Sequence, residues 1–318
     1  MANRNGRNEQ GPRQIGAVLK SMPQAKPLTA IQKRILSMPL AEEGDDPKIL
    51  FQHSVLCQTC LPYRDPGTEV RDWTRRNGYV SLKVVAGSAY SPDQQWLEVG
   101  LPFGPKPRLV LYHLNAEAKR TQSPLIDLED SLTAFVRRTL SLDPGGRNIR
   151  VVKDQLTRLS AADFRFGLNR EGRGVTIKGS VIEGFELWMP KNDKQRVLWP
   201  TTVQFSQRYF ESLMEHAVPL NEAAITRIAH NAMALDIYTW LAQRLHRIDK
   251  AHAQLVPWVS LKQQFGDGYA RMPDFKRIFR STVRTVQAVY PEAQFTIDGA
   301  GMRLAHSKPP VEKRLLLI

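Results

Sequence analysis

The alternation of apolar and polar positions is clearest towards the C-terminal end of the chain. Leu261 and Phe265, four apart, share one face of a predicted helix that opens at Ser260 and stops at Gly266 and Gly268. Ser260-x-x-Gln263 reads as a capping box, in which hydroxyl and amide each satisfy a backbone N–H of the first turn. A second helix is predicted from Asp274 to Tyr290, closed by Pro291. Phe275, Ile278, Phe279, Thr282, Val283, Val286, Val289 and Tyr290 form one stripe at helical spacing. Arg277, Arg280, Ser281 and Arg284 fall opposite that stripe, with Lys276 on its flank. Gln294 to Leu304 then alternates around a Gly-rich turn, as a β-hairpin does. Helix, tight turn, basic helix and hairpin is the order of a winged helix-turn-helix, which implies a basic helix lying in a DNA major groove. A charged helix face taken alone is more often simply solvated; the order of elements is what favours nucleic acid.

A similar order is predicted earlier in the chain. Gly78 to Val85 reads as a strand partnered by Trp96 to Leu101, and Pro107 as a first helical position for a helix reaching Arg120. Leu125 to Leu128 is a short strand, Glu129 to Leu140 a helix, and Asp143-Pro-Gly-Gly a turn. A helix from Asn148 to Ala162 has Ile149, Val152, Leu156 and Leu159 inward, and Arg147, Arg150, Asp154, Thr157 and Arg158 outward. Phe164 to Leu168 and Val175 to Trp188 alternate as β-structure, and Lys191 to Arg196 reads as a loop. Ser206 to Glu215 is a short helix, Asn221 a cap for the next, and Ala232 to Arg247 a long helix packed through Leu235, Ile237, Tyr238, Leu241 and Leu245. The fold class expected is α+β, two tandem winged-helix domains preceded by a disordered basic arm. The boundaries are 1–48 for the arm, 49–205 for the first domain, 206–307 for the second and 308–318 for a tail. Asp154 makes the outward face of the first unit the weaker groove reader, and a solvated face in a dimerising domain explains it equally well.

Composition sharpens this picture. The chain has 318 residues and a formal net charge of +14, a field that favours polyanionic partners. Met1 to Leu40 holds seven Lys and Arg against one acid, in a Gly, Asn, Gln and Pro-rich context. That stretch is expected to be largely disordered, with a short amphipathic helix near Ala30 to Ser37, and serves either as a solubilising tail or as an auxiliary phosphate-binding arm. No apolar run approaches a membrane span and no signal peptide is evident, so the cytoplasm is the expected location, with no membrane partner.

Signs of catalysis are absent. There is no Gly-rich loop followed by Gly-Lys-Ser/Thr, and no His-x-His pair to hold a metal beside a nucleophile. No enzyme activity, no cofactor and no metal are expected. Cys57-x-x-Cys60, with His53 nearby, is the one metal-like spacing, but a structural zinc site needs four ligands, so two buried thiols are the simpler reading.

Several stretches together carry a family resemblance. They are Leu56-Cys-Gln-Thr-Cys-Leu-Pro-Tyr-Arg64, Gly104-Pro-Lys-Pro-Arg-Leu109 with the helix through Thr121, Leu142-Asp-Pro-Gly-Gly146 and Gln155-Leu-Thr-Arg-Leu159. Asp236 to Leu245 and Trp258-Val-Ser-Leu-Lys-Gln-Gln-Phe-Gly266 complete the set. In their order and spacing the chain resembles the RepA-type plasmid replication initiators, those of broad-host-range plasmids of the IncW kind most of all. The resemblance covers about Leu50 to Val311 and leaves the basic arm outside. It implies a protein that binds iterons, the repeated sites of a plasmid origin, as double-stranded DNA, helps open the adjacent A·T-rich duplex and recruits the host's replicative helicase or initiator proteins. It also implies two winged-helix domains and a homodimer, often formed through the first domain. A dimeric winged-helix transcriptional repressor without initiator activity is the alternative.

The residues expected to touch DNA follow from the helical faces. Arg277, Arg280 and Arg284 are placed for base edges in the major groove, with Lys276 and Ser281 on the same helix. Lys262 and Gln263 are placed for phosphates, and Arg303 on the hairpin for the flanking backbone or minor groove. Arg147, Arg150 and Arg158 are the corresponding candidates in the first unit.

Overall fold

The computed structural model describes residues 49–128, 146–170, 173–178, 180–188 and 199–311. Along the chain run β1 (Ile49–His53), a loop carrying both cysteines, β2 (Asp72–Asn77), β3 (Val80–Val85), β4 (Ser88–Tyr90) and β5 (Trp96–Glu98). Next come α1 (Pro105–Thr121), β6 (Leu125–Asp127), α2 (Gly146–Ala161), β7 (Asp163–Arg170), β8 (Arg173–Lys178), β9 (Ile182–Trp188) and β10 (Trp199–Phe205). They are followed by α3 (Gln207–His216), β11 (Ala217–Asn221), α4 (Glu222–Ile228) and α5 (Ala232–Arg244), which runs into a 3-10 turn at Leu245–Arg247. The chain closes with β12 (Gln254–Pro257), α6 (Trp258–Phe265), α7 (Met272–Val289), β13 (Phe295–Ile297) and β14 (Gly301–Leu304). The class is α+β, and all the described residues fall in one compact unit. The expected arm, the helix at 129–140, the loop at 191–196 and the last residues of the tail lie outside the described residues.

Local chemistry accounts for many of the boundaries. Ser206, Asn221 and Asn231 cap α3, α4 and α5 by accepting the backbone N–H of Tyr209, Ala224 and Ala234. Pro105, not Pro107, is the first residue of α1, which ends at Gln122 in the left-handed conformation. The capping box expected at Ser260 is not formed. α6 begins two residues earlier, at Trp258, with Pro257 as its extended N-cap and no side-chain cap.

Strand pairing departs further from the sequence reading. Trp96–Glu98 pairs with Ser88–Tyr90, whereas Val80–Val85 pairs with β2 on one side and β7 on the other. The result is a four-stranded antiparallel sheet in the order β2-β3-β7-β8. Its inner face is built from facing pairs such as Val84 with Phe164 and Leu82 with Phe166. Burial of that face, with Val84 and Phe164 both at 0% exposure, selects this register, because a one-residue slip would turn the whole row to solvent. Two three-stranded sheets share one topology. In β6-β10-β9 and in β12-β14-β13, the strand preceding a helical segment pairs antiparallel with the last strand of the segment that follows it. β7 and β8, expected to form the first hairpin of this kind, are instead diverted into the four-stranded sheet, and β9 with β10 takes that place.

Two helices at the centre are buried on nearly every side. α1 is buried from Pro107 to Asn115, and α5 from Ala232 to Gln243, the pattern of helices with no solvent face. Asp236 is the one acid of α5, and it meets Arg108 of α1 at 7% and 2% exposure respectively. The pair is bidentate: Arg108 Nε donates to Asp236 Oδ1 at 2.7 Å and Nη2 to Oδ2 at 2.8 Å. The remaining guanidinium protons go to the carbonyls of Leu61 (2.7 Å) and Gly104 (2.6 Å), and the group lies over the Tyr63 ring. Burial works against the charge on Arg108, but the charge and hydrogen bonds of Asp236 outweigh it, and its pKa is held above the ordinary value. A second buried polar centre joins α1, β1 and α3. Asn115 donates to Phe51 O and Gln52 Oε1 and accepts from the Tyr209 hydroxyl at 3.0 Å.

Cys57 and Cys60 are free thiols at 2% and 1% exposure, and burial pushes both pKa values up. Among the described residues no three His, Cys, Asp or Glu are grouped to hold a metal, and no helix is long and apolar enough to cross a membrane. His53, stacked on Tyr209, accepts from Val55 N at Nδ1 and contacts Ser212 Oγ through Nε2 at 3.0 Å. Burial first, and the charge of His216 second, lower its pKa to about 4.

Two outcomes are expected. Arg108→Met alone leaves Asp236 charged without its partner in the core and should cost about 3–5 kcal/mol in urea unfolding. Adding Asp236→Leu should restore part of that loss, and only part, because the Leu61 and Gly104 carbonyls still lose their guanidinium donors. The second concerns pH. Since the folded pKa of His53 lies below the unfolded value, the unfolded chain binds the extra proton between about pH 4 and pH 6.5, so stability should rise with pH across that window. His53→Gln should flatten the rise by up to about 3 kcal/mol in urea midpoints followed against pH.

Candidate nucleic-acid interface

The C-terminal segment is organised around Trp258. Its ring meets Phe275 (centroids 6.2 Å) and Phe279 (5.8 Å) edge-on, and its indole N–H donates to Asp298 O at 3.1 Å. One side chain therefore ties the start of α6, the inner face of α7 and the β13–β14 turn together. Phe265 extends the cluster from Phe279 to Trp240 of α5. Gly268, at φ +80, lets the chain turn sharply between α6 and α7. β12 lies against β14 so closely that a Cβ on Gly301 would meet Val256 O at 2.1 Å.

α7 is divided lengthwise. Phe275, Phe279, Thr282, Val283, Val286 and Tyr290 are buried, with Ile278 and Val289 partly so. The Thr282 hydroxyl donates to Ile278 O, so its polarity is satisfied within the helix. Arg277, Ser281 and Arg284 are exposed on the opposite side. Lys276 and Arg280 are only half exposed, since both lie over the Trp258 ring, at 5.0 and 4.9 Å from its centroid. Arg271, at the N-cap, and Asp274 pair at 2.7 Å.

The other candidates divide by what holds them. Lys262 is partly buried and donates to Ala270 O at 3.0 Å across the α6–α7 turn. Gln263 is exposed, and its carbonyl accepts from Arg75 Nη1 at 3.3 Å. Arg303 on β14 is exposed and paired with Asp298 at 3.0 Å. That bond to Arg303, with the N–H groups of Gly301 and Ala300, holds the Asp298 carboxyl below the ordinary carboxylate range.

In α2, Arg150 is exposed and Arg147 lies in the first turn. Val152, Leu156 and Leu159 are buried as expected, but Thr157 is buried too, at 6%. Arg158, placed outward by the helical wheel, is covered by the 65–103 region. It pairs with Asp154 at 3.0 Å, donates to Leu101 O and lies over Phe103.

One contributor was missed from sequence. Arg75 of β2, stacked on Trp73, reaches the C-terminal end of α6 and pairs with Asp267 at 3.3 Å. Nothing near Arg75 in the sequence signals a contact 188 positions away. Gln264 and Asn77 reinforce the same seam by donating to one acceptor, Gln58 O, at 3.1 and 3.0 Å.

Trp258→Phe keeps the ring cluster and removes the indole donor to Asp298 O. About 1 kcal/mol of stability should be lost in urea unfolding, with the deficit confined to the α6–hairpin contact as followed by amide exchange at Ala300 and Gly301. Unchanged exchange there would show that the indole does not hold the hairpin.

Comparison with known proteins places this geometry in context. The family described as "Plasmid encoded RepA protein" matches residues 101–260. No curated protein matches the chain. Among solved structures it is similar to domains 2 and 3 of RctB in a selenomethionine derivative, at 9% identity over 72% of this chain and 81% of that one, with a TM-score of 0.47. A second structure of RctB domains 2-3 gives 10% identity, 73% and 82% coverage, and a TM-score of 0.45.

Proposed function

The chain belongs to the family of plasmid-encoded RepA proteins, and from that premise we propose that it is a replication initiator that binds double-stranded DNA at a plasmid origin. The observation that carries this reading is α7. One face of the helix is locked into the core, and the other presents Arg277, Ser281 and Arg284 to solvent.

In this reading α6, α7 and the β13–β14 hairpin act as a winged helix, with α7 in the major groove. Arg277 and Arg284 are free to reach base edges. Arg280 and Lys276, held on Trp258, have less conformational freedom to lose on binding. An Arg that grips guanine through O6 and N7 contributes about 1–3 kcal/mol of discrimination. Lys262 and Gln263 contact phosphate, and Arg303, its guanidinium shared between Asp298 and the DNA, contacts the flanking backbone or minor groove. The shared order of the two three-stranded sheets supports a second winged helix built on α2, with Arg150 and Arg147 as its cations. Arg158 has no part there, being committed to Asp154 and Phe103. The bound sites are iterons in direct repeat, binding favours opening of nearby duplex, and the host helicase or initiator is recruited to the opened strand. A homodimer forms through the first half. No catalytic step is required of the chain.

The test is footprinting on plasmid DNA flanking the gene at physiological salt, with permanganate reporting unpaired thymines. The expected result is several evenly spaced protected repeats and reactive thymines in an adjacent A·T-rich tract. A single protected inverted repeat without melting would leave a repressor, and no protection would overturn DNA reading altogether. Arg277→Ala should weaken binding to the protected site by about tenfold and relax preference at one base position. If about six phosphates are contacted, affinity should fall on the order of a thousandfold between 50 and 200 mM salt.

A further inference from the structure

A groove of about 720 Å³ runs beside the N-terminal end of α7. Its floor is the exposed side of α6, with Val259, Lys262 and Gln263; one wall is Arg75 of β2; the other is the turn from Asp267 to Met272. We propose that this groove seats the sugar-phosphate backbone of a DNA strand flanking the stretch read by α7, so that β2 serves as a second wing. The inference rests on the duplex reading above and adds to it a contact made by the N-terminal half of the chain.

Three observations point to this occupant. The groove is continuous with the start of α7, since Met272 lines the one and opens the other. Its charged lining is Arg75 and Lys262 against a single acid, Asp267, which suits a phosphate better than a cation or an acidic peptide of fixed geometry. Arg75 also has unused capacity. Its side chain is only 9% exposed, two of its nitrogens go to Gln263 O and Asp267, and Nε is buried with no hydrogen-bond partner. The terminal nitrogens, which reach Gln263 O and Asp267 at 3.3 Å, can take a phosphate oxygen as a further acceptor. The groove is open along its length, unlike the concave sites that enclose most of a small ligand. Gly268, where a Cβ would meet nothing within 4 Å, leaves the turn without a side chain where a backbone would pass closely.

Val259 gives a clean test, because it lies in the floor at 61% exposure and can be recharged without disturbing the core. Binding of the full chain to DNA flanking its gene would be followed by anisotropy across a salt series, for the wild type, Val259→Glu, Val259→Lys and Arg277→Ala. Val259→Glu should weaken binding about threefold to tenfold; Val259→Lys should tighten it and steepen the log–log salt slope by up to about 0.9. If the wild type binds and Arg277→Ala weakens it, while both Val259 variants behave as wild type, the groove is not a strand seat. If the wild type itself does not bind, the duplex reading fails and the inference falls with it.

Discussion

The Arg108–Asp236 pair is the constraint from which the rest of the arrangement follows. Two helices without a solvent face each carry one of its charges into the core, where either charge alone would be strongly unfavourable. The pair is tolerated because it is bidentate and because the spare guanidinium protons find the Leu61 and Gly104 carbonyls. That requirement places the cysteine loop against α1. The loop in turn offers Cys60 O to the Trp73 indole and Gln58 O to both Asn77 and Gln264. A chain of polar contacts thus runs from the centre of the fold, through the loop and β2, to α6. The helix that faces solvent with its arginines is held in place by contacts that begin at a buried charge. This gives physical meaning to three of the stretches that carry the family resemblance. Leu61-Pro-Tyr63, Gly104 to Arg108 and Asp236 lie far apart in sequence and meet at one point.

The two three-stranded sheets show how one topology can serve two ends. Around α7 the strands form only a small support, leaving the helix face open. Around α2 the chain between helix and hairpin is diverted into β7 and β8, which complete a sheet with β2 and β3. The first half gains a broad inner face, closed by Phe164 and Val84, and Arg158 of α2 is drawn into packing. In the second half Lys276 and Arg280 of α7 are steadied by Trp258, while Arg271 and Arg303 pair with Asp274 and Asp298.

Much of the C-terminal unit was legible because its signals are local. The stripe from Phe275 to Tyr290, the burial of Leu261 and Phe265, the hairpin after Gln294 and the Asn221 cap all depend on neighbours within a few positions. The cap at Ser260 misled because Trp258 gains more from burial among Phe275 and Phe279 than Ser260 gains from capping, and α6 extends to include it. Strand partners in the first half were not legible, since β3 could satisfy its alternation against β5 or β7, and only the buried rows decide. The outward placement of Arg158 assumed that the far side of α2 meets water, whereas the chain around Asp65, Leu101 and Phe103 folds over it. Cys57 and Cys60 are the two buried thiols read from their spacing, and the backbone of their loop makes contacts that the spacing did not signal, such as Cys60 O with the Trp73 indole.

The central claim is that α7 enters the major groove of repeated duplex sites. Because Cys57 and Cys60 are buried at 2% and 1% exposure, an Arg277→Cys variant offers one accessible thiol for a tethered iron–EDTA group. Cleavage of plasmid DNA flanking the gene should then cluster within each protected repeat, in the pattern of a probe lodged in the major groove. Cleavage spread evenly over the fragment, or localised only when the tether is moved to position 150 on α2, would contradict the assignment of α7 as the reading helix.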